Sequence, residues 1–261
     1  MTPTTHLEEE FARELEIFRG EAESGAQFFY SYLAVHELAK RQRRVFRMLD
    51  DNALFWSTML GGAQTAAIMA LGRIFDHRSP HNINTLIRLV NQHRGMFSKA
   101  ALGRRKQGYD AQPPAWLPEY LRTAYEPTNA DFRRIADYVK KYRRIYEDKY
   151  HDLRNQLYAH KQAADPLAVA ALVKNTSIRE MQRLFTFLLQ LHGALQELFV
   201  NGRKPILRPL RYSAQRISRR PSPVIPRPSV HERITMHAER ALLGIIKRRT
   251  KPPRRSRPAT P

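Results

Sequence analysis

The sequence predicts an all-α chain: a helical bundle followed by a basic, Pro- and Arg-rich tail that carries one short amphipathic helix. Three observations lead there. No segment sustains the apolar/polar alternation of a strand, whereas several place apolar residues three and four apart. Helix start signals of the Ser/Thr-x-x-Glu form recur at Thr5 with Glu8, Ser177 with Glu180 and Ser229 with Glu232, with Thr128 and Asp131 as a weaker copy. Beyond Gly202 the composition changes abruptly, with ten of the seventeen prolines falling in the last 59 residues.

The elements follow in order. Thr5 opens a helix over about 7–20, and Gly20 and Gly25 bracket the junction to a second over 24–49. The stretch 52–77 reads as a third. Asn52 to Gly72 is 21 residues without a formal charge, close to the ~20 apolar residues of a membrane span. Ser57, Thr58, Gln64, Thr65 and the pair Gly61 and Gly62 interrupt it, so it is expected to be a buried central helix, and no membrane partner is expected. Ser79 and Pro80 close this helix, and another spans 83–93. Gly103 to Ala111, rich in Arg, Lys and Gly, reads as a mobile loop. Pro113 and Pro114 precede a helix over 115–124, Thr128 opens a long one over 129–161 that Asp165 and Pro166 stop, and Ser177 opens the last, over 177–201.

The charge divides along the same boundary. The chain of 261 residues carries a formal +21, but residues 1–202 hold 28 basic and 22 acidic side chains while residues 203–261 hold 17 and 2. The expected domains are therefore 1–202, long enough to bury one core, and a tail over 203–261. Within the tail, Val230, Ile234, Ala238, Leu242 and Ile245 form an apolar stripe over about 230–248, opposite Arg233, Arg240 and Lys247, a basic amphipathic helix on an extended tether. Cysteine is absent, which excludes disulfides and thiolate metal sites. With a polar, acidic N-terminus lacking the pattern of a secretory signal, the expected compartment is the cytoplasm.

Chemistry concentrates in His151-Asp152-Leu153-Arg154-Asn155-Gln156-Leu157-Tyr158-Ala159-His160. The apolar stripe of the long helix runs through Phe132, Ala136, Val139, Tyr146, Tyr150, Leu153 and Leu157, and its next step is His160. Read alone, His160 suits a core or helix-end position, and Arg154 a surface ion pair with Asp148 or Asp152. His151 and Tyr158 read as flanking surface residues, and Asp76 with His77 as a helix end. On an ideal helix Arg154 and His160 lie about 120° apart. They converge only if the helix ends or bends near Ala159, or if a second protomer contributes. No phosphate-cradling glycine arrangement and no ligand-spaced metal cluster appears, so neither cofactor nor metal is expected.

The segment resembles the Arg-x(4 to 6)-His motif of HEPN domains, with five residues between Arg154 and His160 and the polar Asn155 directly after the arginine. The run Trp56 to Asp76, ending Leu71-Gly72-Arg73-Ile74-Phe75-Asp76, and the short helix around Thr85 to Val90 are similar to the abortive-infection (AbiU-like) branch of that superfamily. The resemblance spans about residues 5–202. It implies a HEPN-like bundle that homodimerises and cuts RNA without metal, with Arg154, Asn155 and His160 as catalytic residues and products ending in a 2′,3′-cyclic phosphate. The chemistry suits those side chains: a histidine titrates near ~6.5 and exchanges protons at neutral pH, and a guanidinium holds a phosphate.

The expected function is thus a metal-independent endoribonuclease of phage defence or a toxin-antitoxin pair, restrained by a nucleotidyltransferase-type or other antitoxin. The alternative is a catalytically inactive HEPN module that binds nucleic acid or a protein through its tail. Candidate RNA-binding residues are Arg203, Lys204, Arg208, Arg211, Arg219, Arg220, Lys247, Arg248, Arg249, Arg254 and Arg255. The apolar stripe of the tail helix leaves docking on an anionic membrane or in a partner's groove as a third use of the tail.

Overall fold

A computed structural model of the chain describes residues 3–108, 112–159, 166–207 and 229–249. Among them there is no strand. The helices are α1 (Pro3–Arg41), α2 (Arg43–Asp50), α3 (Ala53–Phe75), α4 (Ile83–Gln92), α5 (Lys99–Gln107), α6 (Leu117–Thr123), α7 (Asn129–Lys149), α8 (His151–Leu153), α9 (Pro166–Lys174), α10 (Ile178–Asn201) and α11 (Val230–Arg249). A 3-10 turn occupies Arg94–Phe97, and a π-helical turn Arg154–Ala159 follows α8. The described residues fall into two compact units, one drawn from residues 1–25 and 66–211, the other from residues 26–65 and 212–261.

In the first unit, Phe11, Leu15 and Phe18 of α1, Ile68, Leu71, Ile74 and Phe75 of α3, and Leu184, Phe185, Leu188 and Leu191 of α10 are buried at 2% exposure or less. Gly25 does not break α1, which runs through both predicted glycine junctions. A Cβ at Gly25 would lie 2.6 Å from Phe185 Cε1 and 2.9 Å from the Cβ of Ala70, so the missing side chain is what lets α1 approach α3 and α10. Phe11 packs on Phe97 and Phe199 with ring centroids 5.2 and 4.9 Å apart.

The predicted loop from Gly103 is helical as far as Gln107, and residues 109–111 lie outside the described residues. Ser98 caps α5 by accepting the Ala101 amide at 3.2 Å, and Ala101, Leu102 and Gly103 are buried. The charge that made this segment read as solvated is used inside. Arg105 donates to Glu8 and to the Met96 carbonyl at 2.8 Å, and lies 4.0 Å over the Phe199 ring.

The start signals behave unevenly. Thr128 and Asp131 form a complete capping box, reinforced by the Tyr125 hydroxyl on Asp131 at 2.7 Å. Ser229 and Glu232 form one as well, with Glu232 accepting from the Ser229 amide and hydroxyl. Ser177 makes no side-chain cap, and Glu180 bridges Lys149 at 2.7 Å. Gly202 ends α10 in the left-handed region (φ 56°), donating to the Leu198 carbonyl as the Arg203 amide donates to that of Glu197.

The second unit shows where the tail helix goes. Leu242 of α11 is buried with Val35 and Leu38 of α1 and Val45 and Met48 of α2, and Leu243, Ile246 and Trp56 pack around them. His231 and Thr235 are buried, and Glu239 pairs with Arg41 at 2.7 Å. Of the stripe predicted to serve an external groove or membrane, Leu242 is buried by the chain itself, Val230, Ile234 and Ala238 are half-buried and Ile245 is exposed, as are Arg233, Arg240 and Lys247. The expectation of a wholly buried third helix holds for half of α3. Ala67, Ile68, Ala70, Leu71, Ile74 and Phe75 are buried, but Leu54, Phe55 and Met59 are 83%, 57% and 54% exposed. Among the described residues this helix is long and apolar enough to cross a membrane by length and composition. The Ser57 and Thr58 hydroxyls both turn back onto the Leu54 carbonyl.

Candidate active site

The Arg154 segment lies where the predicted long helix gives way. α7 stops at Lys149, and Tyr150 leaves the helix at φ −116°, ψ −22°. Tyr150 is fully buried, and its hydroxyl donates to the Ser177 carbonyl at 2.8 Å and accepts the Ser177 amide at 3.2 Å. With the Lys149 and Glu180 ion pair, this fastens the end of α7 to the start of α10. After the short α8 the backbone widens into the π turn over Arg154–Ala159, which begins on the motif arginine. Such turns interrupt regular helices most often at functional positions.

Arg154 is held from two sides. Its Nη1 donates to Asp76 Oδ2 at 3.1 Å and to Asn155 Oδ1 at 2.7 Å. The Arg154 stem crosses α3 at Gly72, where a Cβ would stand 2.8 Å from Nε. A glycine inside a helix costs about 1 kcal/mol against alanine, and here the close passage of the guanidinium is what it permits. The pair is sheltered, with side-chain exposures of 18% for Arg154 and 20% for Asp76. The Arg154 Nε is buried and makes no hydrogen bond.

The network continues in one direction with one consistent set of protons. Because Asn155 Oδ1 accepts from Arg154, its Nδ2 is the donor to His151 Nε2 at 3.0 Å. His151 Nε2 must then be an acceptor, which places the proton of the neutral ring on Nδ1, 3.1 Å from Asp152 Oδ1.

Asp76 is held below the usual carboxylate range, first by the Arg78 amide at 3.0 Å and then by the charges of Arg154 and Arg78, against the opposing effect of burial. Its ion pair with Arg154 therefore persists at neutral pH and is lost only as pH falls below the ordinary carboxylate range. Tyr146, stacked on Phe75 with centroids 5.2 Å apart, is pushed up to about 12 by burial and stays a neutral phenol. Its hydroxyl is buried and makes no hydrogen bond. Beside Arg154 opens a cavity of about 200 Å³ lined by Phe75, Asp76, His77, Tyr146, Glu147 and His151.

Of the residues expected to be catalytic, Arg154 and Asn155 are thus in direct contact, and His160 lies outside the described residues. Asp76 and His151, read from the sequence as a helix end and a flanking surface residue, belong to the Arg154 network. Asp76 is 78 residues away, which leaves no spacing signal. Gly72 inside an apolar helix was the legible hint of a close approach. Of the tail candidates, Arg203 pairs with Glu197 at 3.2 Å, Lys204 stands 5.5 Å over the Tyr125 ring, and Lys247 is exposed on α11. Arg248 and Arg249 end that helix, with only their backbone described. Arg208, Arg211, Arg219, Arg220, Arg254 and Arg255 lie outside the described residues.

Among the described residues no group of three His, Asp or Glu side chains is placed to hold a metal ion. Compared with known proteins, the chain matches no curated protein and no solved structure. Residues 8–217 match the HEPN_AbiU2 family, described as AbiU2.

Proposed function

The chain belongs to the AbiU2 family of HEPN domains, and from that premise we propose that it is a metal-independent endoribonuclease acting in abortive infection. The observation that carries this reading is the partly sheltered Arg154, positioned by Asp76, Asn155 and Gly72. Arg154 receives a nonbridging oxygen of the scissile phosphate and balances charge as it develops. His160 takes the proton from the 2′-hydroxyl, whose oxygen attacks phosphorus. The bond to the 5′-oxygen breaks, and that oxygen leaves with a proton from an imidazolium, of the same or a second protomer. The products are a 2′,3′-cyclic phosphate and a 5′-hydroxyl. The protein acts in the cytoplasm as a homodimer, and an antitoxin, of nucleotidyltransferase or another type, restrains it.

Incubation with total RNA at neutral pH in EDTA tests this. Wild type should yield cyclic-phosphate ends, and Arg154→Ala and His160→Ala should not. Intact RNA, or cleavage unchanged in His160→Ala, overturns it.

One observation favours a second reading: Nη1 of Arg154 is already engaged by Asp76 and Asn155. An arginine so used can be a strut of a catalytically silent module whose basic tail binds nucleic acid. Deleting the tail would remove Leu242 from its core, so the proper test replaces the tail Arg and Lys residues outside α11 by Gln. This reading expects RNA binding to be lost in that variant, and binding without cleavage in the wild type.

A further inference from the structure

We infer that the cavity beside Arg154 takes one nucleobase bearing an exocyclic amino group, so that cytosine, adenine or guanine is accepted there and uracil is disfavoured. The inference rests on reading the site as one that acts on RNA. Size is the first argument. At about 200 Å³ the cavity is smaller than the ~300–1,000 Å³ of pockets that enclose a drug-sized ligand. It has room for a base and leaves the sugar and phosphate outside, where Arg154 is.

The walls supply the rest. Phe75 and Tyr146, stacked on each other with 18° between planes and both buried, give the cavity one apolar side. Two carboxylates line it, and each is backed by a guanidinium: Arg154 on Asp76 Oδ2, and Arg143 Nε on Glu147 Oε1 at 2.7 Å. Charge balanced in this way spares the RNA backbone an unscreened repulsion, while lone pairs on both carboxylates remain to accept hydrogen bonds. An amino group offers two N–H donors to such a pair, whereas uracil offers one ring N–H and two carbonyl oxygens that a carboxylate repels.

The rim is also fixed in place before any ligand arrives. Arg143 Nη1 donates to Asn84 Oδ1 at 3.1 Å, and Asn84 Nδ2 reaches His77 Nδ1 at 3.5 Å. On the other side His151 is tied to Asn155 and Asp152. The Tyr146 hydroxyl, near the charges of Arg154 and Asp76, is a buried polar group of this residue that nothing among the described residues satisfies.

The test uses the full-length protein in EDTA and two readouts. Binding of CMP, AMP, GMP and UMP is followed by NMR shifts of the ring protons of Tyr146 and His77. Cleavage is followed on oligoribonucleotides of a single base. UMP should bind about tenfold more weakly than CMP or AMP, and oligo-U should be cut about tenfold more slowly, the size of one base-edge contact. Glu147→Gln, outside the Arg154 network, should narrow both differences to about threefold or less while the cleavage still depends on Arg154. Equal binding of all four nucleotides, no binding at millimolar concentration, or a discrimination against uracil unchanged in Glu147→Gln overturns the inference. Selective nucleotide binding with no cleavage of any oligomer supports the base site and instead refutes the ribonuclease reading.

Discussion

The docking of α11 makes stability depend on pH through His231. This imidazole is 2% exposed, with its ring edge-on to Tyr30 at 4.5 Å, and burial lowers its pKa from 6.5 to about 4, against a smaller opposing effect from Glu232. The folded chain keeps the ring neutral between those values, while the unfolded chain protonates it. The unfolded state thus binds more protons in that window, and stability is complete above about pH 6.5 and falls as the pH drops toward 4. The linkage relation puts the loss at about 2 kcal/mol by pH 5 and about 3 kcal/mol by pH 4. His36 and His192 are also lowered by burial and act in the same direction, so the wild-type curve alone does not isolate His231. The difference between wild type and His231→Phe does. Trp56 packs against the core cluster of this unit and, in a Trp116→Phe background, is the sole tryptophan. Urea titrations followed by its fluorescence at pH 7.5 and pH 5 should show the wild type losing about 2 kcal/mol more than His231→Phe. Equal losses would mean that His231 is solvated and that the α11 docking is wrong.

Gly72→Ala would set a Cβ 2.8 Å from Arg154 Nε, forcing the guanidinium off Asp76 and Asn155. RNA cleavage should fall by about a hundredfold, the cost of a misplaced group, and the Arg154 Nε–H resonance should shift. Retention of both would remove Gly72 from the site. Gly25→Leu should destabilise the first unit by about 1–3 kcal/mol through collision with Phe185 and Ala70. Thermal unfolding by circular dichroism measures it, and an unchanged midpoint would contradict the close approach of α1 to α10. Asp131→Ala removes the carboxylate that accepts from Tyr125, Thr128 and Arg134. It should cost about 1–2 kcal/mol at the start of α7, read by the same melts.

The features legible along the chain are local ones. Periodicity identifies helices, because a stripe recurring every three or four residues has one face to bury. Caps and breakers place their ends, because an amide without a partner or a proline without an N–H acts within one turn. That is why α4, α6, α10 and α11 lie close to their predicted limits, and why the polar segment at Arg154 could be found at all. The tertiary structure decided what covers each stripe and who meets whom. An apolar face does not state its partner: the tail helix serves its own chain, half of α3 is left exposed, and Arg105 is drawn inward by Glu8 and Phe199. Glycine likewise marks either a break or a close approach, and only packing separates the two, as Gly25 and Gly72 both show. Asp76 reaches Arg154 across 78 residues, because contacts between distant segments follow from how helices pack together and leave no period in the chain.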